Sequence, residues 1–225
     1  MFATADDGVK ISYDVAAGPR PVLLIHGFAS DSESTWVRTG WVRALAGRGH
    51  VLVDLRGHGR SDRPPSGYSP EILARDVLAV LDETGLSTVD AVGYSMGALV
   101  GWTVARLAPG RIGRLVLGGA GGQPAGASSM RRVAEALSGG DLQACIDGMA
   151  GHRLDGPPPV PVLFAAGEQD EIAADAPEFA ARLGAPFVSL GRRTHFNAVS
   201  SRAFKEAAIG FFDNAPGGPG AAPGG

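Results

Sequence analysis

Uninterrupted apolar runs recur along the chain: PVLLI (21–25), HVLVDL (50–55), VDAVGY (89–94), RLVLGG (114–119), VPVLFAAG (160–167) and APFVSL (185–190). Each has the character of a strand buried on both faces. Between them, helical spacing of apolar positions predicts helices over 36–45, 72–81, 96–107 and 179–183. Ahead of them, residues 2–5 and 9–15 flank Asp7-Gly8, a hairpin signal. The alternation predicts an α/β fold: an eight-stranded, mostly parallel sheet with an antiparallel N-terminal hairpin, flanked by helices.

One connection is too long for a simple crossover. Within 120–159, Met130, Val133 and Leu137 fall at helical spacing, as do Leu142, Ile146 and Met149 after Gly139-Gly140-Asp141. Two short amphipathic helices forming a small lid are expected, following a mobile glycine-rich stretch. The segment 214–225 is rich in Gly and Pro and lacks the apolar content of a packed element, so it is expected to be disordered. The resulting division is one domain over 1–213, a lid insertion at 120–159 and the tail at 214–225.

Composition narrows the partners. With 225 residues, 44% of them hydrophobic and 19% charged, the chain reads as one ordinary soluble domain. A net charge of −3 supplies no basic footprint, so no nucleic-acid partner is expected. Cys145 stands alone, which excludes an internal disulfide and fits a reducing compartment. MFATADDGVK has neither a basic n-region nor an apolar h-region, and no apolar run approaches the ~20 residues of a membrane helix. A cytoplasmic protein with no membrane partner is expected; oligomeric state is not legible.

The chemistry gathers at strand ends, where sites of open α/β sheets lie. Ser95 sits in Gly93-Tyr94-Ser95-Met96-Gly97, a G-x-S-x-G turn between a strand and a helix. In such an elbow the serine adopts strained backbone angles and the glycines clear space for neighbouring backbone. The competing reading is a glycine-rich turn whose serine caps a helix. Of the histidines, His195 follows the last strand and comes after an acid that itself follows Ser95, the order nucleophile, acid, base. The acid belongs after the VPVLFAAG strand, where Glu168, Asp170 and Glu171 compete; Asp170 is best placed to aim back along the sheet edge. Oxyanion donors are expected from the backbone N–H groups of Met96 and Phe28, with Gly27 permitting close approach. Phe28, Trp36, Met130, Met149 and Phe196 are candidates for an apolar substrate wall, whereas Trp102 is expected to pack in the core. No metal-binding residues are assigned.

HGF after the third strand, DLRGHGRSD (54–62), GYSMG, GEQD and the final histidine, in that order, together resemble the α/β-hydrolase superfamily over essentially the whole chain to about Asp213. The resemblance is to its serine-type esterase branch with a small lid. It implies a Ser-His-Asp hydrolase without cofactor, acting on a small-molecule ester, and a structural role for His58 in the wall of the site. The sequence departs from that pattern at Thr194, where the family usually has glycine before the base histidine. A small lid implies an open pocket suited to short acyl groups.

Other classes remain. Serine at the elbow argues against the dehalogenase and epoxide hydrolase branches, whose nucleophile is aspartate. The same triad serves carbon–carbon bond hydrolases of vinylogous diketones, and GYSMG with HGF is also similar to a lyase of menaquinone biosynthesis. Acidic substrates of that kind call for cations, for which Arg56, Arg60, Arg131, Arg132, Arg192 and Arg193 are candidates. A non-catalytic ligand-binding module is the remote third reading.

Overall fold

The computed structural model describes residues 1–137 and 142–214. The expected Gly139-Gly140-Asp141 break, and all of the expected tail except Asn214, lie outside the described residues. The strands are β1 (Phe2–Thr4), β2 (Lys10–Ala16), β3 (Val22–Ile25), β4 (His50–Val53), β5 (Val89–Tyr94), β6 (Ile112–Gly118), β7 (Val162–Ala166) and β8 (Phe187–Ser189). They form an 8-stranded sheet in the order β1-β2-β4-β3-β5-β6-β7-β8. β1–β2 and β2–β4 are antiparallel and every other pair is parallel. The chain winds outward from β3 to β4, then returns over β3 to place β5 on its other side. β3 and β5 therefore flank the topological switch point, with Ile25 opposite Gly93.

Period-two alternation sends side chains into two apolar layers. Leu23, Ile25, Val51, Val53, Ala91, Leu115 and Leu117 face one layer, closed by α2 (Pro70–Glu83) and α3 (Met96–Leu107). Val22, Leu24, Leu52, Val92 and Val116 face the other, closed by Trp36, by α1 (Trp41–Ala44) and by Phe204, Ala208 and Phe212 of a C-terminal helix. That helix, at Arg202–Asp213, is absent from the sequence-based list. Its i, i+4, i+8 apolar positions are the signal that would have found it.

The single helix expected over 36–45 is split into a π-helical turn at Glu33–Val37 and the one-turn α1. Gly40 at φ 84 breaks it, because a left-handed residue cannot continue a right-handed helix. The insertion carries both expected helices, α4 (Ala127–Leu137) and α5 (Gln143–Met149). Its glycine-rich approach, expected to be mobile, is tied down: Gly122 donates to the Asp175 carboxylate at 3.0 Å, and Ala125 donates to the His152 carbonyl at 2.7 Å. The far end is fixed by Trp102 Nε1 donating to the Asp155 carbonyl at 3.0 Å. The remaining helices are α6 (Ala176–Arg182) and α7 (Arg202–Asp213). No helix of the described residues is long and apolar enough to cross a membrane.

The loop after β4 is anchored by a buried ion pair. Arg56 binds Asp76 of α2 through Nε and Nη2, both at 2.5 Å, and reaches Asp7 through Nη1 at 2.8 Å. Removing one partner of such a pair strands the other charge, which costs more than the pair contributes. Asp76→Ala is therefore expected to destabilise the fold by about 3 kcal/mol, with Asp7 left to hold the guanidinium in part. Urea denaturation monitored by circular dichroism measures it; a loss below about 1 kcal/mol would remove this pair as the anchor of the loop.

Candidate active site

The elbow is built by close backbone packing. Ser95 adopts φ 54 and ψ −116, outside the regions a serine ordinarily visits. A Cβ on Gly93 would stand 2.3 Å from the Gly97 carbonyl oxygen, and one on Gly97 would stand 2.1 Å from that of Ile25. Both glycines are therefore steric requirements of the turn. The Ser95 amide donates to the Gly118 carbonyl at 2.8 Å, which holds the turn against the end of β6.

His195 reaches this serine from the loop after β8. Its Nε2 lies 3.0 Å from Ser95 Oγ, and its Nδ1 lies 2.9 Å and 3.0 Å from the two Asp170 oxygens. A carboxylate at Nδ1 places the ring proton there and leaves Nε2 to accept the serine hydroxyl. Asp170 is held by the amides of Ile172 and Ala173, each donating to Oδ1 at 3.1 Å. Its loop and that of His195 are paired beyond the strands: Glu168 N–H donates to Gly191 O at 2.8 Å and Gln169 N–H to Arg193 O at 3.0 Å. Thr194, the departure from the family pattern, joins this pairing as the bridge partner of Gln169, without a positive φ. Glycine is not required there; Gly191, at φ 71, makes the turn. Of the competing acids, Glu168 points outward to the Ser189 hydroxyl at 3.0 Å and Glu171 lies on a cavity wall.

The β3 loop supplies the opposite side. Gly27 passes so close that a Cβ there would stand 3.3 Å from Tyr94 O and 3.4 Å from Ser95 Cβ. The Phe28 and Met96 amides have no acceptor among the described residues. Ala29 follows at φ 57, and its amide donates to His58 Nε2 at 3.1 Å, while His58 Nδ1 donates to Arg56 O at 3.0 Å. His26 repeats the pattern: Nε2 accepts from the Leu55 amide at 3.0 Å and Nδ1 donates to Gly27 O at 2.7 Å. Both buried imidazoles use one nitrogen as acceptor, so both are neutral, and they fasten the β3 and β4 loops together.

Two cavities meet at Ser95. The larger, about 270 Å³, is lined by Phe28, Met96, Leu99, Met130, Val133, Met149 and Leu154 among others. The smaller, about 190 Å³, is lined by Phe28, Thr35, Thr39, His195 and Phe196 among others. Of the sequence-based wall residues, Phe28, Met130, Met149 and Phe196 line one cavity or both. Trp36 does not. It is fully buried on the far side of the π-turn, with its ring edge-to-face on Trp41 at 5.4 Å, so it is core rather than wall. The arginine candidates are also displaced: Arg56 is sealed by Asp76, Arg60 lies 3.7 Å from Asp54, and Arg131, Arg132, Arg192 and Arg193 line neither cavity. Arg153 and His152 are the basic residues on the larger cavity, unforeseen because the loop after α5 has no periodicity. Tyr94 was likewise missed; its hydroxyl donates to the His195 carbonyl at 2.6 Å, tying the histidine loop to the strand that carries the serine.

Residues 20–144 match a family model described as the alpha/beta hydrolase fold. An esterase from Exiguobacterium antarcticum superposes with a TM-score of 0.79 at 21% identity, covering 95% of this chain and 99% of that one. A meta-cleavage product hydrolase from Pseudomonas fluorescens superposes with a TM-score of 0.73 at 20% identity, covering 95% and 97%. An uncharacterised protein of Mycobacterium tuberculosis is 40% identical over 79 residues, a stretch covering 33% of this chain and 22% of that protein.

The paired histidines make a pH dependence. Burial pushes His58 down from 6.5 to about 3, with the neighbouring His26 adding to the shift. Burial also lowers His26. The unfolded chain therefore binds these protons more readily than the native one. The stability they confer is complete above pH 6.5 and is lost as pH falls below it. For His58 the expected loss approaches ~1.4 kcal/mol per pH unit well inside that window, and His26 adds in the same direction. Urea denaturation between about pH 7 and about pH 5 measures the slope, which should be shallower in His58→Gln. A wild type whose stability does not change across that range would refute neutral, buried imidazoles.

Proposed function

The chain belongs to the α/β-hydrolase fold family, and on that premise we propose that it is a serine hydrolase cleaving short-chain carboxylic esters through an acyl-enzyme on Ser95. The observation that carries this reading is the hydrogen-bonded series Ser95–His195–Asp170 facing two unpaired amides. In this reading His195 Nε2 takes the Ser95 proton as Oγ attacks the ester carbonyl. The oxyanion that forms is held by the Phe28 and Met96 amides, each worth ~3 kcal/mol in the transition state. His195 then gives its proton to the departing alcohol, and water repeats the sequence to release the acid. Asp170 fixes the imidazole tautomer and stabilises the imidazolium without taking its proton.

His195 lines the smaller cavity and not the larger one, so the leaving group it protonates belongs in the smaller. The acyl chain is then left the larger cavity, whose apolar wall comes from α3, α4 and α5. Its volume of about 270 Å³ is at the low end for small-molecule sites and favours short chains. The carbon–carbon reading loses the arginines that sequence reasoning offered it; an acidic diketone panel assayed beside the esters separates the two.

Ser95→Ala is expected to abolish ester turnover and labelling by a fluorophosphonate probe, with circular dichroism unchanged. Asp170→Asn should lower kcat by ~10⁴-fold, since the amide holds the imidazole in the wrong tautomer. Glu168→Gln should stay near wild type, because that carboxylate meets only Ser189 at the surface. Sensitivity at Glu168 in place of Asp170 would overturn the assignment.

Across a p-nitrophenyl ester series, kcat/KM should rise from acetyl to about hexanoyl, by up to ~0.8 kcal/mol per buried methylene, and then fall. High turnover on long-chain triglyceride emulsions with little on soluble short esters would contradict the size of this cavity.

A further inference from the structure

The smaller cavity has its own chemistry. Ser30, Ser34, Thr35 and Thr39, from the loop after β3 and the π-helical turn, line it beside the apolar Phe28, Val133, Leu137 and Val199. Among the described residues no Asp, Glu, Lys or Arg lines it, so none of them balances a charged ligand there. The hydroxyls are only partly spent on one another. Ser30 Oγ and Thr35 Oγ1 share one proton at 2.8 Å, and Thr39 Oγ1 donates to Thr35 O at 2.5 Å. The Ser34 hydroxyl has no partner among the described residues. A hydroxyl carries one donor and two acceptor lone pairs, so Thr39 still accepts and Ser34 can both donate and accept. A wall offering donors and acceptors together, without charge, matches a ligand whose groups also do both. The half-exposed Phe196 ring also lines it. A slot lined by hydroxyl-bearing and apolar side chains together suits a compact polyol, which offers both hydroxyls and C–H groups.

We infer that the smaller cavity is a polyol subsite: the leaving alcohol is a neutral polyhydroxylated molecule of the glycerol class. The same subsite then accepts such a polyol as acyl acceptor in competition with water. This rests on the serine hydrolase reading above. In the transfer step the polyol hydroxyl gives its proton to His195 Nε2 as its oxygen attacks the acyl carbon on Ser95. The new C–O bond forms, the bond to Ser95 Oγ breaks, and His195 returns the proton to that oxygen. No further reactant is required.

The test uses p-nitrophenyl acetate as acyl donor, with glycerol or 1-propanol as acceptor at equal molarity. Products are acetate and acetylated alcohol, and their ratio is internal to each reaction, so it does not depend on how fast the enzyme turns over. In wild type, transfer to glycerol relative to water should exceed transfer to 1-propanol by at least about tenfold. Ser34→Ala and the isosteric Thr39→Val should each lower the glycerol ratio by about threefold to tenfold and leave the propanol ratio unmoved. Equal partition to the two alcohols in wild type, or a glycerol ratio indifferent to both substitutions, overturns the subsite alone. No p-nitrophenol release from wild type overturns the hydrolase reading and this one with it.

Discussion

A serine held at φ 54 and ψ −116 is the constraint on which the rest of the site depends. Such a conformation costs about 1–3 kcal/mol and persists only where its surroundings over-determine it. Here they are backbone: the Gly97 position is pressed against the Ile25 and His26 carbonyls, and Gly93 against Gly97 itself. That pressure has a chemical consequence. The close approach that forces glycine at position 97 also brings the β3 loop beside Ser95, with the Phe28 amide that the proposed mechanism pairs with that of Met96. A looser turn would accommodate side chains at both glycines and would separate the two donors. Packing and electrostatic preorganisation are the same contact seen from two sides.

The histidine arm meets this fixed point through three independent ties. Pairing beyond β7 and β8 sets Asp170 against His195 in register, the Asp170 carboxylate is seated on two amides of its own loop, and Tyr94 fastens the His195 carbonyl to β5. The last tie is the most telling, since Tyr94 precedes the serine and its ring lies 5.4 Å from the imidazole. Ser95 and the His195 loop are thus positioned by adjacent residues of one strand end. The oxyanion side is fastened separately, by His26 and His58 bridging the β3 and β4 loops. Neutrality of those imidazoles is part of the device, because each must accept an amide hydrogen at Nε2.

Much of this was legible in the chain. Buried parallel strands write themselves as apolar runs, and every strand read that way appears within a few residues of its expected place. The spacing of Gly93, Ser95 and Gly97 announced backbone crowding before any neighbour was known. What failed had local causes. Gly40 broke a helix that apolar spacing alone suggested, and the same break put Trp36 into the core instead of the site. The helix over Phe204, Ala208 and Phe212 had a readable pattern that went unread. Thr194 looked like a disturbance only because a glycine is usual there, whereas this backbone places its left-handed residue at Gly191. The cavity walls were the least legible, since Leu99, Arg153 and the hydroxyls from Ser30 to Thr39 converge only through tertiary packing.

Beyond Tyr94, Met96 and Leu99, the two cavities draw their walls from segments that do not share an element with Ser95. The larger cavity, the acyl side of the proposed reaction, is largely built by the insertion: α5 rests its Cys145 sulfur 3.8 Å from Met96 Sδ, and α4 contributes Met130 and Val133. The smaller cavity, the alcohol side of the proposed reaction, is lined by the loop between β3 and β4, whose π-helical turn carries Ser34 and Thr35, and by Val133 and Leu137 of α4. Neither segment sets the backbone angles of the elbow, which are fixed by β3, β5 and α3. Changes in either wall can therefore retune what enters without disturbing how the serine is held. A coupling remains through Met96, whose amide is a donor in the proposed mechanism and whose sulfur meets Cys145 of the insertion. On the proposed reading, a substitution in α5 that shifts Met96 would register on every ester, whereas one at Thr39 would register on those whose alcohol carries hydroxyls.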